Sequence, residues 1–149
     1  MIKKDISTEK SLLGVKNPNF NWNSEESSLE NIGKEKIESL KVVISEIQKM
    51  INEREKLSKS VIEDAEKEKR AIDNFMLDVE AKMESGDIEG ERERIALRQK
   101  RVEVSELQLK ERISAWQDVA KLKQELREKE RELSEKQGRI EMFSKILTG

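Results

Sequence analysis

Residues 37–79 read IESLKVVISEIQKMINEREKLSKSVIEDAEKEKRAIDNFMLDV, and the fold follows from the spacing of their apolar side chains. One apolar series begins at Ile37 and returns every seven residues, and a second begins at Leu40 and returns at the same interval. Such a heptad is the pattern with which α-helices pack in coiled coils. The apolar seam residues that it predicts in this first helix are Ile37, Leu40, Ile44, Ile47, Ile51, Val61, Ile72, Phe75 and Val79.

The composition agrees with long, thin helices. Charged residues make up 42% of the chain and apolar residues 34%, whereas globular domains carry about 25% and about 45–50%. So little apolar material cannot fill a thick core, but it can line a narrow seam between two helices. We therefore predict an all-α protein.

Helix-capping and helix-ending residues divide the chain into two predicted helices. Ser27-Ser28-Leu29-Glu30 fits a capping box, which predicts a first helix over about 27–84. Glycine at position 86 suits the left-handed residue after a helix end, and Asp87 suits the cap of a second helix over about 88–147. A turn at 85–90 would make residues 27–149 an antiparallel coiled-coil hairpin. If 85–90 stays helical, the alternative is an extended rod that pairs between chains.

The second helix carries its own heptad series, which changes position between residues 116 and 119. Its predicted seam residues are Ile95, Val102, Leu109, Trp116, Val119, Leu126, Leu133 and Ile140. Further apolar residues widen this face beyond a strict seam, which favours a homo-oligomer or a partner helix. Trp116 belongs to this apolar series and is therefore interpreted as a core residue rather than a ligand site.

Polar side chains interrupt the seam of the first helix. With a turn near Gly86, Arg54 is expected beside Asp118, and Glu68 close to Lys100 and Arg101. Such pairs fix the register of two helices at some cost in stability. Alternatively, the long side chains keep their charged ends in water.

Residues 1–26 form a predicted irregular tail, since Pro18 and a run of asparagines replace the apolar period. Aromatic and aliphatic anchors in such a tail suit a docking peptide for a groove on a partner protein. The predicted partner-binding residues are Leu12, Leu13, Val15, Phe20 and Trp22. The alternative is that Phe20 and Trp22 fold back onto the chain's own hairpin, whose end is expected to hold Phe143 and Leu147.

Residue types that perform catalysis are scarce. The chain has no histidine and no cysteine, and it has no glycine-rich phosphate loop. We therefore expect no enzyme activity, no cofactor and no metal site. The formal net charge of −2 argues against nucleic acid as a partner. A membrane surface stays an alternative that no basic segment indicates, and cytoplasmic residence is the default expectation.

Two long helices joined by a short turn resemble the small stalk protein of flagellar and type III export machines. The stretch SGDIE at 85–89 resembles the hairpin tip of membrane-remodelling proteins of the phage-shock and ESCRT-III kind, although those chains carry further helices. The sequence predicts a non-enzymatic scaffold or adaptor that binds partner proteins through its helix faces and tail. The resemblances imply the alternative, an assembling membrane-associated scaffold or a stalk-like secretion protein.

Overall fold

The computed structural model describes residues 22–84 and 89–148, all of which are helical. Helix α1 spans Trp22–Glu84 and helix α2 spans Glu89–Thr148. The two helices pack against each other, and the described residues contain no strand. The predicted all-α architecture is therefore confirmed.

The contacts between the helices show that α2 runs antiparallel to α1 within one chain. Arg54 bonds to Asp118, which lies 64 residues later, whereas Asp73 bonds to Arg101, only 28 residues later. A separation that falls steadily along α1 is the mark of a helical hairpin. The extended rod is therefore contradicted. Of the predicted turn at 85–90, residues 85–88 lie outside the described part, and residues 89 and 90 open α2.

Helix α1 begins at Trp22, five residues before the predicted start at Ser27. Asparagine, serine and glutamate follow Trp22 in the sequence; the first two types favour helix starts, and acidic residues favour the positive end of a helix dipole. The first turn can therefore form upstream of the expected capping box. The same electrostatic rule explains acidic Glu89 and Glu91 in the first turn of α2 and a lysine in its last turn.

The chain divides into two compact units, each containing part of both helices. One unit joins the start of α1, as far as Lys41, to the part of α2 from Leu133 onward. Within it, Ile37 and Leu40 are buried. The other unit is Val42–Glu132. Its core contains Ile47, Ile51 and Val119, packed with Val43, Leu122 and Leu126.

Two helical glycines in the first unit give a matched pair of substitutions. A Cβ at Gly138 would meet no other atom within 4 Å, whereas a Cβ at Gly33 would lie 3.0 Å from Ile140 Cδ1. We expect Gly138→Ala to raise the free energy of unfolding by about 0.5–1 kcal/mol, because alanine loses less backbone entropy in a helix. Gly33→Ala should gain less, since Ile140 must move. Urea denaturation of both variants checks this, and an equal gain at both positions would contradict it.

Neither α1 nor α2 has a stretch that is both long enough and apolar enough to cross a membrane.

Candidate protein-interaction surfaces

The inward face of α1 follows the predicted heptad only as far as Ser58, which is buried. Beyond Ser58, the series that began at Ile37 stays inward at Ala65, Ile72 and Val79. The series that began at Leu40 does not, because the inward residue lies one position later in each heptad. Half-buried Ile62, Lys69, Met76 and Met83 take the places expected for Val61, Glu68, Phe75 and Lys82, which are exposed. The predictions of Val61 and Phe75 as seam residues are thereby corrected.

A shift of this kind is compatible with helix geometry, because an α-helix has 3.6 residues per turn whereas a heptad repeat corresponds to 3.5. In a straight helix, residues that recur every seven positions drift by about 20° per heptad around the helix axis. An extra spacing of four residues between inward positions compensates for this drift. In α1, two consecutive spacings between inward residues are four residues long, from Arg54 to Ser58 and from Ser58 to Ile62. The inward positions of α2 do the same at residues 111, 115 and 119.

The largest correction concerns the first half of α2. The predicted seam residues Ile95, Val102, Leu109 and Trp116 are all exposed, with exposed fractions that rise from 51% at Ile95 to 73% at Trp116. The residues that instead turn inward are Gly90, Arg94, Leu97, Val104, Gln108 and Ala115.

Further along α2, the predicted series does face inward. Val119 is buried and Leu126 is half-buried in the core of the second unit. In the first unit, Leu133 and Ile140 are half-buried.

We name the four exposed residues at positions 95, 102, 109 and 116 the α2 stripe. Seven-residue spacing keeps them on one side of the helix, about 10 Å apart along its axis, with mostly polar residues between them. Val102 and Leu109 also line a shallow groove of about 410 Å³, together with Arg98, Arg101 and Glu106. An apolar line with charged residues of both signs beside it is typical of a helix face that takes a partner helix.

Inside the second unit, Arg54 holds two carboxylates of α2. Its Nε donates to Asp118 Oδ2 at 2.9 Å, and its Nη1 donates to Glu111 Oε1 at 2.6 Å. Both hydrogen bonds raise the pKa of Arg54 above its usual value, the one to Glu111 contributing more. Of the two alternatives for Arg54, the structure shows the pairing with Asp118. Its geometry ties one position of α1 to two positions of α2 that lie seven residues, or about two turns, apart.

A second polar layer surrounds Gln108, which is only 5% exposed. Its Nε2 donates to the backbone oxygen of Ile62 at 3.2 Å and to Glu66 Oε1 at 2.8 Å. Its Oε1 accepts from Lys69 Nζ at 2.6 Å. Both amide N–H groups and the amide oxygen are thus bonded, as a buried side chain requires. This residue was missed from the sequence, because a glutamine beside two leucines does not signal burial.

A third contact joins the helices nearer the end of α1. Arg101 Nε donates to Asp73 Oδ1 at 2.8 Å, and this bond raises the pKa of Arg101. The expected neighbour of Arg101 was Glu68, which is exposed. Because the inward position moves to Lys69, the carboxylate of Glu68 points away from the seam.

The Gln108 layer predicts a pH dependence. The hydrogen bond from Gln108, supported by nearby Lys69, lowers the pKa of Glu66 below its ordinary value of 4.5, although burial acts against the shift. A lowered folded-state pKa means that this stabilisation is present above about pH 4.5 and is lost as the pH falls through the folded pKa. We expect the difference in Tm between the native chain and Glu66→Gln to shrink below pH 4.5.

Thermal melts between pH 7 and pH 3 measure that difference. The matched control is Glu68→Gln, since Glu68 is exposed two residues away and lies outside the Gln108 layer. A Tm difference for Glu66→Gln that stays constant across this range, or that changes equally for the control, would contradict the prediction.

A further apolar surface lies within the first unit, near the end of α2. We call it the terminal groove; it encloses about 530 Å³ and is lined mainly by Leu29, Ile140, Phe143 and Leu147. Leu29 is 62% exposed, and Phe143 and Leu147 are also exposed. Glu30 and Arg139 lie at its edge.

The predicted docking residues Leu12, Leu13, Val15 and Phe20 lie outside the described residues. Trp22 is described only as the first residue of α1. Their role in binding stays a prediction.

Among the described residues, no group of three or more histidine, cysteine, aspartate or glutamate side chains is arranged to hold a metal ion. Comparison with protein families, with curated proteins and with solved structures finds no match to this chain.

Proposed function

We propose that this chain is a non-enzymatic interaction protein of the cytoplasm, a scaffold or adaptor whose α2 stripe binds a helix of a partner protein. The observation that carries the proposal is the exposure of Ile95, Val102, Leu109 and Trp116. Exposed apolar residues scattered singly need no explanation, but a line at constant heptad spacing does.

The packing of the hairpin supports this reading. Val104, Gln108 and Ala115 are buried on the inward face of α2. The stripe residues are exposed, so they are free to contact a partner while α1 stays packed against α2. A partner helix laid along the stripe would bury large side chains, and tryptophan is the type most often found at the energetic centre of interfaces. Nearby Arg98 and Glu106 can favour a partner that carries charges of the opposite sign at the matching positions.

The test first identifies the partner and then measures its binding. A photo-crosslinking residue at position 109 should capture the protein that contacts the stripe in the native cell, whether a second copy or another protein. The same residue at position 107 is the control, because two residues turn a helix by about 200°. Capture at 109 that does not exceed capture at 107 would overturn the proposal.

The double variant Val102→Glu with Leu109→Glu should then weaken binding to the captured protein. Burial of each apolar side chain contributes about 1.5–3 kcal/mol, and each 1.4 kcal/mol is tenfold in affinity, so we expect a loss of about 100-fold or more. Leu107→Glu is the matched control: Leu107 is 64% exposed on the other side of α2. Isothermal titration compares the Kd values, and an equal loss for Leu107→Glu would contradict a specific stripe.

A further inference from the structure

The terminal groove presents apolar surface that no described segment covers. Leu29 from α1 and Phe143 and Leu147 from α2 all contribute exposed side chains to it. Its volume of about 530 Å³ falls within the range of about 300–1,000 Å³ that is typical of ligand pockets. It is therefore large enough for several side chains of a short peptide.

We propose that the occupant of the terminal groove is the segment 12–20 of the same chain, with Leu12, Leu13 and Val15 as its anchors. The segment ends at residue 20, two positions before the first residue of α1, Trp22. Leu29 lies seven residues into α1, at a distance of about 10 Å along the helix axis. A tethered segment this close has an effective concentration in the millimolar range, far above that of a free partner.

The sequence of the segment allows it to turn back. Because α1 leads away from its own start, a chain that enters the groove must reverse direction before Trp22. Asn17-Pro18-Asn19 is a turn signal, since proline cannot continue a helix and the Asn-Pro pair favours turn initiation. A turn there directs residues 12–15 along α2.

The lengths of the segment and the groove agree. From residue 12 to residue 15, an extended chain spans three steps, or about 10 Å. The part of the groove between Ile140 and Leu147 spans seven helical steps, or about 10 Å. The anchors can therefore lie beside these side chains without a gap or an overhang.

Charge favours the same docking. Residues 1–21 carry four lysines, Lys3, Lys4, Lys10 and Lys16, against Asp5 and Glu9. Helix α2 ends at Thr148, and a helix C-terminus presents carbonyl oxygens without helical partners and a partial negative charge. Lys16 directly follows the apolar anchors and can donate to those oxygens.

The absence of cysteine from the chain makes disulfide trapping a clean test. The reporter pair is Val15→Cys with Ser144→Cys, because Ser144 lines the groove. The control pair is Val15→Cys with Lys145→Cys, because the next residue points about 100° away around the helix. Under mild oxidation of dilute full-length protein, we expect the reporter pair to close within one chain about tenfold faster than the control.

Adding Leu12→Asp and Leu13→Asp to the reporter pair should reduce its rate to that of the control. All of these changes lie in the tail or at the exposed Ser144 and Lys145, so the hairpin stays folded. Equal rates for the two pairs would overturn the docking. A disulfide that forms only between two chains, faster at higher concentration, would overturn the assignment to the chain's own tail. Neither outcome depends on the α2 stripe.

Discussion

Ile47→Ala is expected to lower the free energy of unfolding by about 2–5 kcal/mol, the usual cost of truncating a buried isoleucine. Ile47 is 4% exposed and lies in one core cluster with Ile51 and Val119. A two-helix seam has no second layer of side chains that can relax into the space left behind. The loss should therefore include a cavity as well as the lost burial.

Val42→Ala is the matched control, because Val42 is in the same helix and unit but is 56% exposed. Its effect should stay within about 0.5 kcal/mol, as is usual for surface substitutions. Urea titration followed by circular dichroism measures both variants. If Ile47→Ala cost no more than Val42→Ala, the seam would not be the source of stability.

The helices and their antiparallel arrangement could be predicted because their signals are local. A seven-residue period, the glycine at 86 and Asp87 are read from neighbouring residues alone. The start of α1 could not be placed as well. Trp22 to Glu26 have no apolar period in the sequence, so only residue types that favour a first turn could have indicated a helix there.

The residues of α2 that face α1 could not be predicted from the sequence. Two apolar series run along this helix, one through Val102 and Leu109 and one through Leu97 and Val104, and both have heptad spacing. Which of them meets α1 depends on the rotation of both helices. That rotation is influenced by buried polar contacts such as those of Gln108, which the apolar pattern does not reveal.

The shift of the inward positions, from the residue-61 series to the residue-62 series in α1, occurs at a level where buried small residues lie on both helices. Ser58 lies midway between Arg54 and Ile62, whose partners on α2 are Asp118 and Gln108. Ala115 lies between those partners, and both Ser58 and Ala115 are buried. Small side chains at this level allow a close approach, and the inward positions of both helices shift here.

Ser58→Leu is therefore expected to lower the free energy of unfolding by about 1–3 kcal/mol, the range for overpacking a core. Ala115→Leu should act in the same direction, since it fills the same level from the opposite helix. Ser60→Leu is the matched control: Ser60 is exposed, and two residues turn the helix by about 200°. Urea titrations of the three variants give the comparison.

The sign of the Ser58→Leu effect decides what causes the phase shift. A leucine that destabilises the hairpin means that the helices are already in close contact at this level, so that small residues are needed there. A leucine that stabilises it would mean that the level is underpacked. The shift would then arise from the hydrogen bonds of Arg54 and Gln108 alone, which hold the two helices in this rotation from either side of Ser58.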